Sequence, residues 1–342
     1  MRRRALGGHL VALAALGLSV GVALSSGGAG IPLGRTIAIL AGGIGLPWGI
    51  EGAPWERVVL LELRLPRVLL AACGGGGLAI AGAAMQGLFR NPMADPGILG
   101  VSGGAALGAV CALYIGGEAT ALYTVPLAAF VGAGICAFLV YVLATRRARS
   151  SIASLLLAGI AVGGVANALT SFVLTLSLAD WEVGREMLVW LMGGLDARSW
   201  RHVAMAAPPI LGGSSWLLIY ARELDVLAAG EQSALSLGVD VRALRRDLIV
   251  LTSIVTAATV AVMGIVGFVG LMVPHLVRLL VGPRHARLLP LSFWVGAIAL
   301  VWADWACRSV VSTDLRLGVI TALAGGPFFL YLLVRHQRGS ER

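Results

Sequence analysis

Asp304 and Arg308 sit four residues apart inside a long apolar run. On a helix they share one face and can neutralise each other. Ionisable groups at membrane depth are costly and point to function. Asn167, Thr170 and Ser171 form a second polar group, a stripe amid glycine and alanine. Such a stripe can line a pathway or hydrogen-bond one helix to its neighbour. His275 follows Pro274, where an imidazole can bond a carbonyl that the proline frees. Ser102, in Gly100-Val-Ser-Gly103, is a candidate nucleophile if a fold brings His275 to it as a Ser–His dyad. Composition removes other chemistries. All 26 basic residues are arginine, so the chain can carry neither a G-x-x-x-x-G-K-[ST] phosphate loop nor a lysine Schiff base. Cys73, Cys111, Cys136 and Cys307 stand apart in apolar runs without C-x-x-C spacing. They read as packing residues, not as metal or redox ligands, and no cofactor is expected.

The elements that must position these groups are membrane helices. The chain is 58% hydrophobic and 13% charged, against roughly 25% charged in soluble domains. Its apolar blocks fall at 8–26, 67–89, 97–116, 121–144, 152–178, 202–220, 247–266, 267–281, 288–308 and 318–334. Several are of the length, about 20 residues, that spans a bilayer as helix. The expectation is an all-α polytopic membrane protein with ten transmembrane helices, forming a single domain over 1–342. Gly264, Gly267, Gly270 and Pro274 split the nearly continuous 247–281 into two helices. Residues 8–26 read as a first, uncleaved helix and not as a signal peptide.

Arginine placement orients the chain. With both termini cytoplasmic, seventeen of the 26 arginines lie inside and nine outside. Treating 247–281 as one span would move Arg284, Arg287, Arg335, Arg338 and Arg342 outside and erase that asymmetry. The same concentration at a lipid surface accounts for the net charge of +9, so membrane lipid is an expected partner and nucleic acid is not. The outer segments are 27–63 and 179–201. In the second, Trp181, Trp190 and Trp200 predict a short interfacial helix. The inner segment 221–246 alternates apolar and charged residues and predicts short helices turning at Gly230 and Gly238, a docking surface more than a connector.

Six segments in order resemble one family. They are Arg64-Leu-Pro-Arg67; Gly82-Ala-Ala-Met-Gln86; Arg90-Asn-Pro-Met-Ala-Asp-Pro-Gly97 with Gly100-Val-Ser-Gly-Gly104; Gly230-Glu231 with Leu237-Gly238; Gly267-Phe-Val-Gly-Leu-Met-Val-Pro-His275 with Arg278; and Gly325-Gly-Pro-Phe-Phe329. Together they resemble the FecCD permeases of bacterial ABC importers for iron chelates, haem and cobalamin. The resemblance implies the type II ABC importer permease architecture in the inner membrane. It implies a homodimer, two copies of a cytoplasmic ABC ATPase, and a periplasmic substrate-binding protein. ATP would be hydrolysed on the ATPase and not on this chain. The cargo implied is an iron chelate (ferric siderophore or haem), with cobalamin as the alternative.

Carried over by position, Arg64, Arg67 and Arg308 would dock the binding protein. Leu227, Gly230, Glu231, Ala234, Leu237 and Gly238 would seat on the ATPase, and Asn167, Thr170, Ser171 and Arg316 would line the pathway. One segment departs from the pattern, with Asp314-Leu-Arg-Leu-Gly318 where the family usually has Glu-Leu-Pro-x-Gly. Arg316 would there add a cation suited to an anionic cargo. Two other classes compete. Gly100-Val-Ser-Gly103 also resembles the G-x-S-G of rhomboid-type intramembrane serine proteases, and a secondary transporter would lean on Asp304 for ion coupling.

Overall fold

Every regular element is a helix among the residues that the computed structural model describes, 2–26, 30–116, 121–145, 152–309 and 315–340. At the centre stands α4 (Leu65–Phe89), buried on nearly every side from Leu78 to Phe89. A helix that is apolar all round belongs in the interior. Its glycines allow the neighbours to approach as bare backbone. Gly75 meets Gly296 of α14 (His285–Ser309), and Gly82 meets Gly270 of α13 (Val269–Val281). A β-carbon at either site would strike main-chain atoms.

Around this axis lie α1 (Arg2–Ser25), α9 (Trp200–Leu217) and α12 (Val241–Met263). A second group is formed by α5 (Val101–Gly116), α6 (Ala121–Thr145) and α7 (Ile152–Ser177), with Gly104 and Gly132 bringing α5 and α6 into backbone contact. The chain breaks between α12 and α13 where the glycines predict it. Gly264 has φ +70 and Phe268 φ +66, left-handed conformations that end one helix and start the next.

The first outer segment is richer than a loop. It contains α2 (Leu33–Gly43) and α3 (Pro54–Arg57), then a wide π-type turn, Val58–Arg64, that runs into α4. The second contains α8 (Trp181–Leu191), whose first amides are capped by the Asp180 carboxylate. Trp181 is exposed, but Trp190 is buried and the Trp200 indole donates to the Leu61 carbonyl, so only part of the expected interfacial face survives. On the opposite end, α10 (Ala221–Ala228) and α11 (Glu231–Ser236) turn at Gly230 and Gly238, both at positive φ, as the spacing predicts.

Each of the ten apolar blocks holds a helix, the tenth being α15 (Leu317–Ser340). Among the described residues, seven helical stretches are long and apolar enough to cross a membrane by length and composition. α5, α13 and the apolar part of α15 are shorter. Thirteen residues of α13 rise about 20 Å, less than the roughly 30 Å hydrocarbon layer, so length and composition carry seven crossings and not ten. Asp314 and Arg146, Arg147 and Arg149 lie outside the described residues.

Candidate functional site

The end expected to face outward, the outer end for short, is built on a chain of ion pairs. The π-type turn and α4 carry Arg64 and Arg67, α14 carries Asp304 and Arg308, and the turn between α8 and α9 carries Asp196. Arg67 Nε donates to Asp304 Oδ1 at 2.8 Å and its Nη1 to Asp196 Oδ1 at 2.7 Å. The other Asp196 oxygen accepts from Arg316 Nη1 at 2.7 Å. Arg308 Nε stands 3.2 Å from Asp304 Oδ2, an ion contact without hydrogen-bond geometry. The expected i,i+4 pair therefore forms, but Arg67 makes the better bond to that carboxylate.

Arg64 is buried and donates to the Leu24 carbonyl at 2.6 Å, while Arg308 Nη2 reaches the Ala23 carbonyl at 3.3 Å. Two carbonyls that the end of α1 leaves open are satisfied in this way. The start of α15 joins the same assembly, because Gly318 N donates to the Met192 carbonyl and Leu317 N to the Gly193 carbonyl. Five separate chain segments are thus held by four arginines and two aspartates, which leaves a net positive charge.

Two expectations change. Arg316 is not a free cation, because it bonds Asp196, a carboxylate it shares with Arg67. Asp196 itself, the hub, escaped the sequence reading. The only signal was an acidic residue two positions after the Gly193-Gly194 turn.

On the inner end, the faces of α10 and α11 divide. Leu224, Leu227 and Ala234 are buried within the chain. Leu227 and Ala234, expected on the surface that seats a partner, instead face inward and hold that surface up. Glu231, Leu237 and Gly238 are exposed and Gly230 is partly so. Leu235, outside the expected set, is 58% exposed and joins Leu237 at 70%. The platform is tied to the axis by a contact the sequence did not reveal. Asp225 of α10 accepts from both the backbone N and Nδ1 of His285, each at 2.7 Å, and so caps α14. Gly87 of α4 lies against the same imidazole.

Four of the six family-like segments converge around the helix break. Gln86 donates to the Leu271 carbonyl and accepts from Arg278 Nη2, each at 3.1 Å. Pro96 packs on Gly270, and Gly325 on Phe268. The Arg90–Gly104 hinge turns through a left-handed Arg90 at φ +49, then through Asp95, whose carboxylate accepts from Gly97 N at 2.8 Å. Burial pushes the Asp95 carboxyl up, and that amide works against the shift. His275 meets Phe328 edge-on at 6.2 Å. Among the described residues no hydrogen bond joins it to Ser102 or to a freed carbonyl, so neither the dyad nor the expected carbonyl bond is present. On α7, Thr170 is buried and bonds the Ala166 carbonyl, while Asn167 and Ser171 are exposed beside Leu157 and Ile160.

Comparison with known proteins agrees with this geometry. Residues 14–335 match the model of the FecCD transport family. The cobalamin import system permease protein of Halobacterium salinarum is 49% identical over 81% of this chain and 73% of its own length. The hemin transport system permease protein of Yersinia pestis is 40% identical over 82% of this chain and 84% of its own. A solved metal-chelate type ABC transporter in an inward-facing conformation superposes with a TM-score of 0.84 at 30% identity, covering 98% of this chain and all of that one.

Proposed function

The chain belongs to the FecCD transport family, and on that premise we propose that it is the permease subunit of an ABC importer for a large metal chelate. It works as a homodimer in the inner membrane, with ten crossings and both termini cytoplasmic. Two ATPase subunits seat on the α10–α11 platform, and a periplasmic binding protein docks at the opposite end. The observation that carries the dimer and the pathway is α7. Its exposed face mixes Asn167 and Ser171 with large apolar side chains, a surface too polar for lipid contact and suited to a partner helix or a water-filled path. α15 is the second pathway helix.

Exposed Leu235 and Leu237 support the inner assignment, since unpartnered apolar residues beside polar ones mark a docking surface. The surplus of arginine supports the outer one. Arg67 and Arg308 are partly covered and Arg64 is tied to the end of α1, so the cluster offers a positive face to carboxylates. Similarity to the cobalamin permease at 49% favours a corrinoid cargo. An iron chelate is the second reading, favoured by the 40% match to the hemin permease.

Reconstitution with the ATPase tests this. Binding protein loaded with cobalamin should stimulate ATP hydrolysis and uptake more than the same protein loaded with haem or a ferric siderophore. Stimulation by haem or siderophore alone selects the second reading, and stimulation by none refutes the importer function.

A further inference from the structure

Three cavities join end to end along the seam between α6 and α12. The outer one is about 440 Å³, the middle about 240 Å³ and the inner about 210 Å³. Pro126 and Ala261 line both the outer and the middle cavity, and Phe130 lines both the middle and the inner. From Pro126 to Tyr141 the seam follows about 22 Å of helix, longer than one leaflet's half of the roughly 30 Å hydrocarbon layer. Below its mouth the groove is apolar, walled by residues such as Phe130, Phe138 and Ile254. Its floor is open at Gly134, where an added β-carbon would find no atom within 4 Å.

The mouth is chemically different. Glu186, Trp190, Asp196, Arg198 and Arg316 line it. Asp196 and Arg316 bond each other, and Glu186 has an interaction of its own. Among the described residues, two buried donors at this mouth remain without an acceptor, the indole Nε1 of Trp190 and Nε of Arg198. Buried donors are seldom left in that state, since each costs a desolvation penalty. Arg198 Nη1 has only His202 Nε2, at 3.4 Å. Burial pulls the Arg198 guanidinium down to about 10 and the charge of Asp196 holds it up, so it is a cation at neutral pH. Arg198 and Trp190, each with a buried donor that lacks an acceptor, thus line the mouth of a groove as long as an acyl chain.

We propose that this seam is a binding site for an acidic phospholipid, whose phosphate accepts from Arg198 and Trp190 while one acyl chain lies along α6 and α12 over Phe130 and Gly134. A free phosphate satisfies the donors but leaves the apolar groove unexplained, which is why the lipid is the occupant. The site lies apart from the exposed faces of α7 and α11, and it stands whether or not the cargo reading holds.

The test is native mass spectrometry of the full-length permease released from nanodiscs containing equal palmitoyl-oleoyl phosphatidylglycerol and phosphatidylcholine. The wild type should retain phosphatidylglycerol selectively. Arg198→Ala should weaken that retention about tenfold, the loss of one charge-assisted hydrogen bond. Gly134→Phe fills the groove without touching the mouth and should weaken it too, with helix content unchanged by circular dichroism. Equal retention of phosphatidylcholine overturns the proposal. So does loss in Arg198→Ala with full retention in Gly134→Phe, or displacement of the lipid by inorganic phosphate, because each assigns the donors to a small anion.

Discussion

At the outer end, Asp304 is 1% exposed and the side chains of Arg67 and Arg308 close on it; at the inner end, Leu237 stands 70% exposed with no partner beside it. The outer contacts are directional and largely desolvated, so they fix five segments relative to one another. The inner platform keeps its own supports, Leu224, Leu227 and Ala234, inside the chain and turns apolar side chains outward. The carboxylates of the outer cluster are already paired within the chain, whereas the apolar face of the platform is not covered by it. α4 and α14 run between them, pressed together at Gly75 and Gly296. That pair carries the Asp225–His285 contact at one end and the Arg67–Asp304 bond at the other. The platform and the outer cluster are thus joined through one closely packed helix pair.

Mutation can break this contrast in graded steps. Asp304→Ala leaves Arg308 without a carboxylate and Arg67 with Asp196 alone, and should cost about 3 kcal/mol, read as a fall in the thermal midpoint of the purified protein; a midpoint within a degree or two of wild type would show the outer end to be less closed than its geometry. Leu227→Ala removes a buried side chain under the platform and should cost about 2–5 kcal/mol, whereas Leu237→Ser should change stability by less than about 0.5 kcal/mol yet reduce copurification of the ATPase. Equal destabilisation by the two leucine substitutions would abolish the distinction between support and surface. Asp196→Asn acts at a half-exposed carboxylate and should cost only about 1 kcal/mol. Its effect should be felt at the α15 start, as faster amide hydrogen exchange at Leu317 and Gly318, while exchange in α4 stays the same.

The helices and their interruptions were readable because they depend on neighbouring residues. A run of apolar residues must satisfy its own backbone in lipid and so becomes helix. Glycines at 264 and 267 end one helix for the same local reason wherever the segment lies, and Gly230 and Gly238 turn α10 and α11 alike. Even Asp304 and Arg308 were legible as a pair, since one turn of helix brings them together. The ordered motifs were legible as a family, but not as the group of contacts that Gln86, Gly270, Phe268 and Gly325 make around the helix break.

The sequence by itself thus determined an all-helical, membrane-adapted chain without a lysine-bearing phosphate loop, the break after Met263, and the two short inner helices. Only the tertiary structure decided which charges meet. Arg67 and Asp196 are 129 positions apart, and Asp225 and His285 are 60 apart, with nothing in either neighbourhood to name the partner. It also decided that Leu227 faces inward and Leu235 outward, because a short amphipathic helix shows that it has two faces but not which one the rest of the molecule will cover. Helix formation and turning are local free energies, whereas ion pairing and burial are settled by what arrives from elsewhere in the chain.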